Sequence, residues 1–200
     1  MARRLVRDHG PAAFTTGAVA AEAGMSKASF FYYFSSKEEL MGELLATMLE
    51  AEAEALIAAI DAAADGLSAL GSFYRAIVHR YRDDLETWRV LYLWSNVIGA
   101  PQEVLITRVY PNSARVNLRL EQKLRTDPRL HPEVEPRRLA NITWSSAHGL
   151  LSVVSSLKLA GGATLFPVEQ LVDEAVGVLT RGATNPASGP GSALPDRLIP

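Results

Sequence analysis

From Thr15 onward the apolar positions recur at steps of three and four residues, the spacing of amphipathic helices. Thr15 and Thr16 are good N-cap residues, and Val19, Ala20 and Ala23 then share one narrow face of small side chains, which predicts a helix to about Ala23. Gly24 allows a sharp turn, and Met25 is placed to fold back as an apolar pin. Ser26 caps the next helix. Its Phe30 and Phe34 should point inward, which leaves Lys27, Ala28, Ser29, Tyr32 and Tyr33 on the other side. Ser36-Lys37-Glu38-Glu39 matches a capping box and opens a helix predicted to run to about Ala63. After Lys37 its charges, among them Glu43, Glu50, Glu52 and Glu54, are all acidic and read as a solvated face.

The remaining chain continues in helical register. Leu67, Leu70, Tyr74, Ile77 and Tyr81 mark one helix, and Leu85, Trp88, Leu91, Tyr92 and Ser95 a second, to about Gly99. A third spans about Gln102 to Arg125 and must kink or split at Pro111. Pro128, Pro132 and Pro136 make a loop, and Pro136 suits the first turn of a long helix ending before Gly161-Gly162. That helix has an apolar stripe of Leu139, Ile142, Ala147, Leu150, Val154 and Leu157. Asn141, Ser145, His148, Ser152, Ser155 and Ser156 form a second, small and polar face. Val168, Leu171, Val172, Ala175, Val178 and Leu179 define a last helix. No strand pattern or repeat stands out, so the fold class is all-α.

The organisation expected is a helix-turn-helix domain over residues 1–45, a larger helical body over 46–182 joined to it by the long helix, and a Pro-, Gly- and Ser-rich disordered tail over 183–200. Ahead of the first clear cap, Ala2 to His9 can form a turn or two of helix before Gly10 and Pro11.

Composition narrows the chemistry. The formal net charge is -2, so nucleic-acid binding has to rest on local charge. From Met25 to Lys37 there are two lysines and no acid, which makes that stretch locally positive. Cysteine is absent, which removes disulfides and thiolate chemistry and fits a reducing compartment. With no apolar run of the roughly 18–20 residues a span requires, and no apolar core after the basic N-terminus, the expectation is a cytoplasmic protein without membrane contact. No nucleophile–base set, phosphate loop or metal spacing appears, so neither enzyme activity nor a cofactor is expected. His131, Glu133 and Glu135 alternate in a proline-rich loop and are not read as a metal site. His79 and Asp83 read as a surface pair.

The segment Thr15 to Leu40 strongly resembles the DNA-binding domain of the TetR (tetracycline repressor) family of bacterial transcription regulators. The matching residues are Thr15, Val19-Ala20, Ala23-Gly24-Met25-Ser26, Lys27, Ala28-Ser29, Phe30, Phe31-Tyr32-Tyr33-Phe34 and Ser36-Lys37-Glu38-Glu39-Leu40. Physical reasoning assigns the same residues a task. Ala28 and Ser29 are short enough for a close approach to base edges, and Lys27 can reach a guanine edge or a phosphate. Thr15, Thr16, Ser26, Tyr32, Tyr33 and Lys37 are placed to hold phosphates. Two positions depart from the family pattern. Phe31 stands where the first Tyr of a Tyr-Tyr pair is usual, and the chain begins within what is normally a longer first helix. The latter keeps open an alternative, a helical small-molecule-binding protein with impaired DNA binding.

The resemblance further implies a ligand-responsive repressor bound as a homodimer to a near-palindromic operator in double-stranded DNA, with dimerisation through the last two helices. It also implies a cavity for a small-molecule effector in the body. Trp88, Tyr92, Trp94, Tyr110 and Trp144 are candidates to line such a cavity, and His148, one turn from Trp144, to bond its ligand. Large aromatics more often simply fill a core, and His148 can be internally satisfied or lie in the subunit interface.

Overall fold

The computed structural model describes residues 15–94 and 102–185. The short helix expected over residues 2–9, the segment 95–101 and the tail beyond residue 185 lie outside the described residues, as does the Trp94 side chain. The helices are α1 (Thr16–Glu22), α2 (Lys27–Tyr33), α3 (Lys37–Ala62), α4 (Gly66–Tyr81), α5 (Leu85–Arg89), α6 (Gln102–Val104), α7 (Tyr110–Arg125), α8 (Pro136–Leu159) and α9 (Val168–Ala183). Among the described residues the only extended pairing is an isolated bridge between Leu130 and Thr184.

Each early helix starts where a short polar side chain closes its first turn. Thr15 accepts a hydrogen bond from the Ala18 amide, Ser26 from Ser29 and Ser36 from Glu39. The capping box at Ser36 is displaced by one residue. The Glu39 carboxylate is bonded by the amide and hydroxyl of Ser35 rather than by the Ser36 amide. Those bonds hold the carboxyl below its usual pKa. Gly24 turns the chain between α1 and α2 at φ 65°, where a side chain would be strained. Met25 is 37% exposed and does not act as an apolar pin.

Helix α4 is the axis of the body, packed against α3, α7, α8 and α9. Phe73, Tyr74, Ile77, Val78 and Tyr81 are buried along it. Its start is clamped from the α7–α8 loop. Asp127 accepts from the Leu67 amide at 2.9 Å and pairs with Arg129, which also reaches Asp65. The Arg129 guanidinium pulls the Asp127 carboxyl down to about 2. Gly66 permits this close approach, since a Cβ there would sit 2.6 Å from the Lys123 carbonyl oxygen.

Proline explains the break in the third body helix. Pro111 has no N–H, and the backbone before it widens into a π-helical turn, Leu105–Val109, between α6 and α7. One turn on, the Arg108 carbonyl accepts from the Asn112 side-chain amide at 2.8 Å. A second π-helical turn, Val90–Trp94, continues α5, so that segment departs from the regular helix expected there.

Helix α8 corrects the sequence reading of its faces. Ala140, Thr143, Ala147, Leu151 and Ser155 are buried, at steps of three and four, whereas Ile142 and Val153 are each 55% exposed. On α9, Val172 and Val176 face inward and Val178 is 56% exposed. Both helices therefore carry apolar residues on their outer sides. Ala183 to Asn185, assigned by composition to the tail, are held to the loop before α8. The His131 amide donates to the Ala183 carbonyl at 2.9 Å, and the Asn185 amide to that of Arg129 at 2.8 Å. His131 and Glu135 serve turns. His131 Nδ1 accepts from the Glu133 amide, and Glu135 caps α8. Asp83 pairs with the neighbouring Arg82 instead of His79.

Candidate nucleic-acid interface and interior cavity

Helix α2 packs against α1 through a single buried side chain, Phe30, while Phe34 is half-buried at its end. A seven-residue helix with one inward anchor must turn its other side chains out. Tyr32 is 83% exposed and Tyr33 65%, and Lys27, Ala28 and Ser29 are exposed as well. The Tyr32 and Tyr33 rings meet edge to face at 5.1 Å, while Phe31 lies against Phe30. Ser26 and Ser29 share a hydroxyl hydrogen bond of 2.9 Å at the N-terminus of α2. Thr15 is exposed at the start of α1, with Thr16 half-buried beside it. Lys37 opens α3 and lies 3.7 Å from Glu38, which answers part of its charge. One exposed surface thus carries a lysine, short side chains, hydroxyls and phenols, with no acidic residue on α2.

The second set of sequence candidates converges in the body. The Tyr92 ring lies 4.2 Å from His148 and 6.4 Å from Trp144, and Trp144 lies 4.8 Å from His148. Trp88 stacks on Tyr92 and donates from Nε1 to His148 Nδ1 at 3.1 Å. Tyr92, Trp144 and Tyr110 wall a cavity of about 250 Å³ with Leu49, Val109 and Ser113. Tyr110 is 57% exposed at its rim. Trp88 and His148 stand behind that wall and do not line it.

Three groups in this interior escaped the sequence reading. Glu52, read as solvated, is buried, and the hydroxyls of Tyr81 and Tyr92 donate to its two carboxyl oxygens, the latter at 2.7 Å. Removal from water raises its pKa, against the pull of the two phenols and Arg80. Tyr81, an apolar-face residue by its spacing, and Arg89, which donates to Ser155 Oγ at 2.8 Å, complete the polar set. A signal for Glu52 existed, since Leu45, Leu49, Glu52, Leu56 and Ile60 follow one another at steps of four and three. Three other acids of α3 are answered by arginines before and along α7. Glu43 pairs with Arg108, Glu54 with Arg115 and Asp61 with Arg119.

Comparison with known proteins bears on both regions. The model of the family described as bacterial regulatory proteins, tetR family, matches residues 1–44. The structure of a Rhodococcus sp. RHA1 protein of unknown function aligns with a TM-score of 0.73 and 20% identity, covering 92% of each chain. The TetR family transcriptional regulator PfmR from Thermus thermophilus aligns with a TM-score of 0.64 and 18% identity, over 90% of this chain and 94% of that one. AibR, solved in complex with isovaleryl coenzyme A and operator DNA, aligns with a TM-score of 0.64 and 20% identity, over 90% and 94%. The first 44 residues thus match the N-terminal domain of the TetR family, and the chain as a whole shares a fold with TetR regulators. No curated protein matches it. Its all-helical fold, from the helix-turn-helix of α1 and α2 to the larger body, is that of the TetR regulators aligned with it. Among the described residues, no helix is long and apolar enough to cross a membrane.

Proposed function

We propose that this TetR-type chain is a DNA-binding transcriptional regulator, not an enzyme, acting in the cytoplasm as a ligand-responsive repressor on a near-palindromic operator. The observation that carries the reading is α2, which buries Phe30 and turns Lys27, Ala28, Ser29, Tyr32 and Tyr33 outward together. Laid in a major groove, its N-terminal turn brings Lys27, Ala28 and Ser29 to base edges. Thr15, Thr16, Ser26, Tyr32, Tyr33 and Lys37 then hold the phosphates on either side. Residues 1–45 form the DNA-binding unit, and α3 carries its position into the body.

One short helix covers too few base pairs for strong specificity, and a two-fold pair doubles the site. The outer apolar residues of α8 and α9, Ile142, Val153 and Val178, support a homodimer through these helices. The cavity beside Tyr92, Tyr110 and Trp144 is the seat of a small-molecule effector. It shifts DNA affinity by its differential affinity for two spacings of the paired α2 helices. That AibR was solved with both operator DNA and isovaleryl coenzyme A supports this two-site arrangement.

The test is fluorescence anisotropy of the full chain with DNA from upstream of its own gene, across a salt series. The expected result is a sequence preference and an affinity that falls steeply with salt. Absence of both sinks the reading.

A further inference from the structure

On an outward surface of hydroxyls, phenols and a lysine, Phe31 presents a ring with no polar atom. It is 51% exposed, between the buried Phe30 and the exposed Tyr32. Its ring meets that of Phe30 edge to face at 5.4 Å, so the inward anchor of α2 also steadies its position. It lies four residues after Lys27 and three after Ala28, and is the neighbour of both on the helix surface. A helical side chain leans toward the N-terminus, over the turn before its own Cα. On that rule the Phe31 ring borders the turn of Lys27 and Ala28, two of the side chains assigned to base edges.

The chemistry of a phenyl ring limits what it can meet on DNA. It has no O–H or N–H to give a phosphate oxygen, so it cannot act there as Tyr32 and Tyr33 can. The apolar group that base pairs present in the major groove is the 5-methyl of thymine. Contact between ring and methyl removes both from water. Lys27, with no acid on α2, draws this surface toward the duplex.

We propose that Phe31 is a sequence-reading residue, whose ring packs against the 5-methyl group of a thymine in the major groove, beside the contact made by Lys27. This rests on the DNA-binding reading above and adds a base preference at one position of each half-site. Cytosine there replaces the methyl by hydrogen and offers an amino group that the ring leaves unpaired, so T·A is favoured over C·G.

The test compares two versions of the duplex from upstream of the chain's own gene, one synthesised with thymine and one with uracil, which lacks only the methyl. Binding of the full chain is measured by fluorescence anisotropy across a salt series. The wild type is expected to bind the uracil duplex with at least about threefold lower affinity. Phe31→Ala should bind the thymine duplex more weakly than the wild type does, and its thymine-to-uracil ratio should fall toward one. Phe31→Gln, a good helix former without the ring, should behave alike. Urea unfolding checks that each variant is folded, as expected for a half-exposed position. Any effect of uracil on duplex shape, or of the Ala28 methyl, is common to the three chains and cancels between them. The salt slope should keep its wild-type value in both variants, because no phosphate contact is removed. Equal wild-type affinity for the two duplexes, a uracil penalty as large in the variants as in the wild type, or a salt slope lowered by them overturns the inference and leaves the DNA-binding reading intact. If the wild type binds neither duplex, that reading falls and the inference with it.

Discussion

Helix α2 and the interior around His148 are built in opposite ways. Helix α2 keeps one aromatic anchor, Phe30, inside and displays its remaining chemistry to solvent. The interior holds its chemistry away from solvent, in contacts between residues distant in sequence. Trp88 meets His148, Tyr81 and Tyr92 meet Glu52, and Arg89 meets Ser155. An exposed polar side chain contributes little to stability, so α2 is free to be specified by what it binds. A buried polar group is costly when unpaired, so every interior residue is constrained by its partners. The function can therefore be lost from α2 with the fold intact, whereas changes inside should disturb both.

The largest effect should come from the one residue of α2 that behaves like the interior. Phe30→Ala removes a fully buried ring and is expected to cost about 3–5 kcal/mol in denaturant unfolding, with loss of DNA binding. A cost below about 1 kcal/mol would show that α2 is not anchored through it.

Next in size is the pH response of the interior. The folded pKa of His148 is lowered to about 4, below its ordinary 6.5. Its contribution is therefore full above 6.5 and is lost as pH falls from 6.5 toward 4. Urea unfolding at pH 7 and pH 5 should show a loss of about 1–2 kcal/mol, absent in His148→Asn. Glu52 acts in the opposite sense. Its raised pKa means that the native state holds a proton the unfolded chain has released, so its contribution is present at low pH and fades as pH rises. Glu52→Gln, which needs no proton to stay neutral, should gain stability relative to the wild type as pH rises from about 4 toward 7. A constant difference across that range would mean that Glu52 does not titrate between the two states.

A cap lies between the two regimes. Ser26→Ala removes the side-chain oxygen that accepts from the Ser29 amide and should cost about 1 kcal/mol of thermal stability. Smallest in stability, and sharpest for the comparison, are Lys27→Ala and Tyr32→Ala. Each should change unfolding free energy by less than about 0.5 kcal/mol while weakening DNA binding several-fold. Lys27→Ala should also reduce the salt slope by about one if it meets a phosphate, or relax specificity at one base pair if it meets a guanine. A stability loss at Tyr32 comparable to that at Phe30 would erase the distinction between the two faces of α2.

The sequence by itself determined most of the described helices and the outward side of α2. Both follow from interactions within a few residues. Caps act over three positions, Phe30 and Phe34 are four apart, and Pro111 acts on its own turn. It also supplied Trp88, Tyr92, Tyr110, Trp144 and His148 as candidates, though not which of them wall the cavity. Only the tertiary structure decided the rest. A helical period tells that α8 has two faces, but which one turns inward depends on where α4 and α7 lie, so Leu151 rather than Ile142 is buried. A run of acids predicts a wet face until a particular rotation places Glu52 under two phenols. A histidine's proton is assigned only once a donor as distant in sequence as Trp88 reaches its other nitrogen. Local rules fix backbone conformation because their partners are near in sequence; burial, protonation and the shape of a cavity are set by neighbours that only the folded chain brings together.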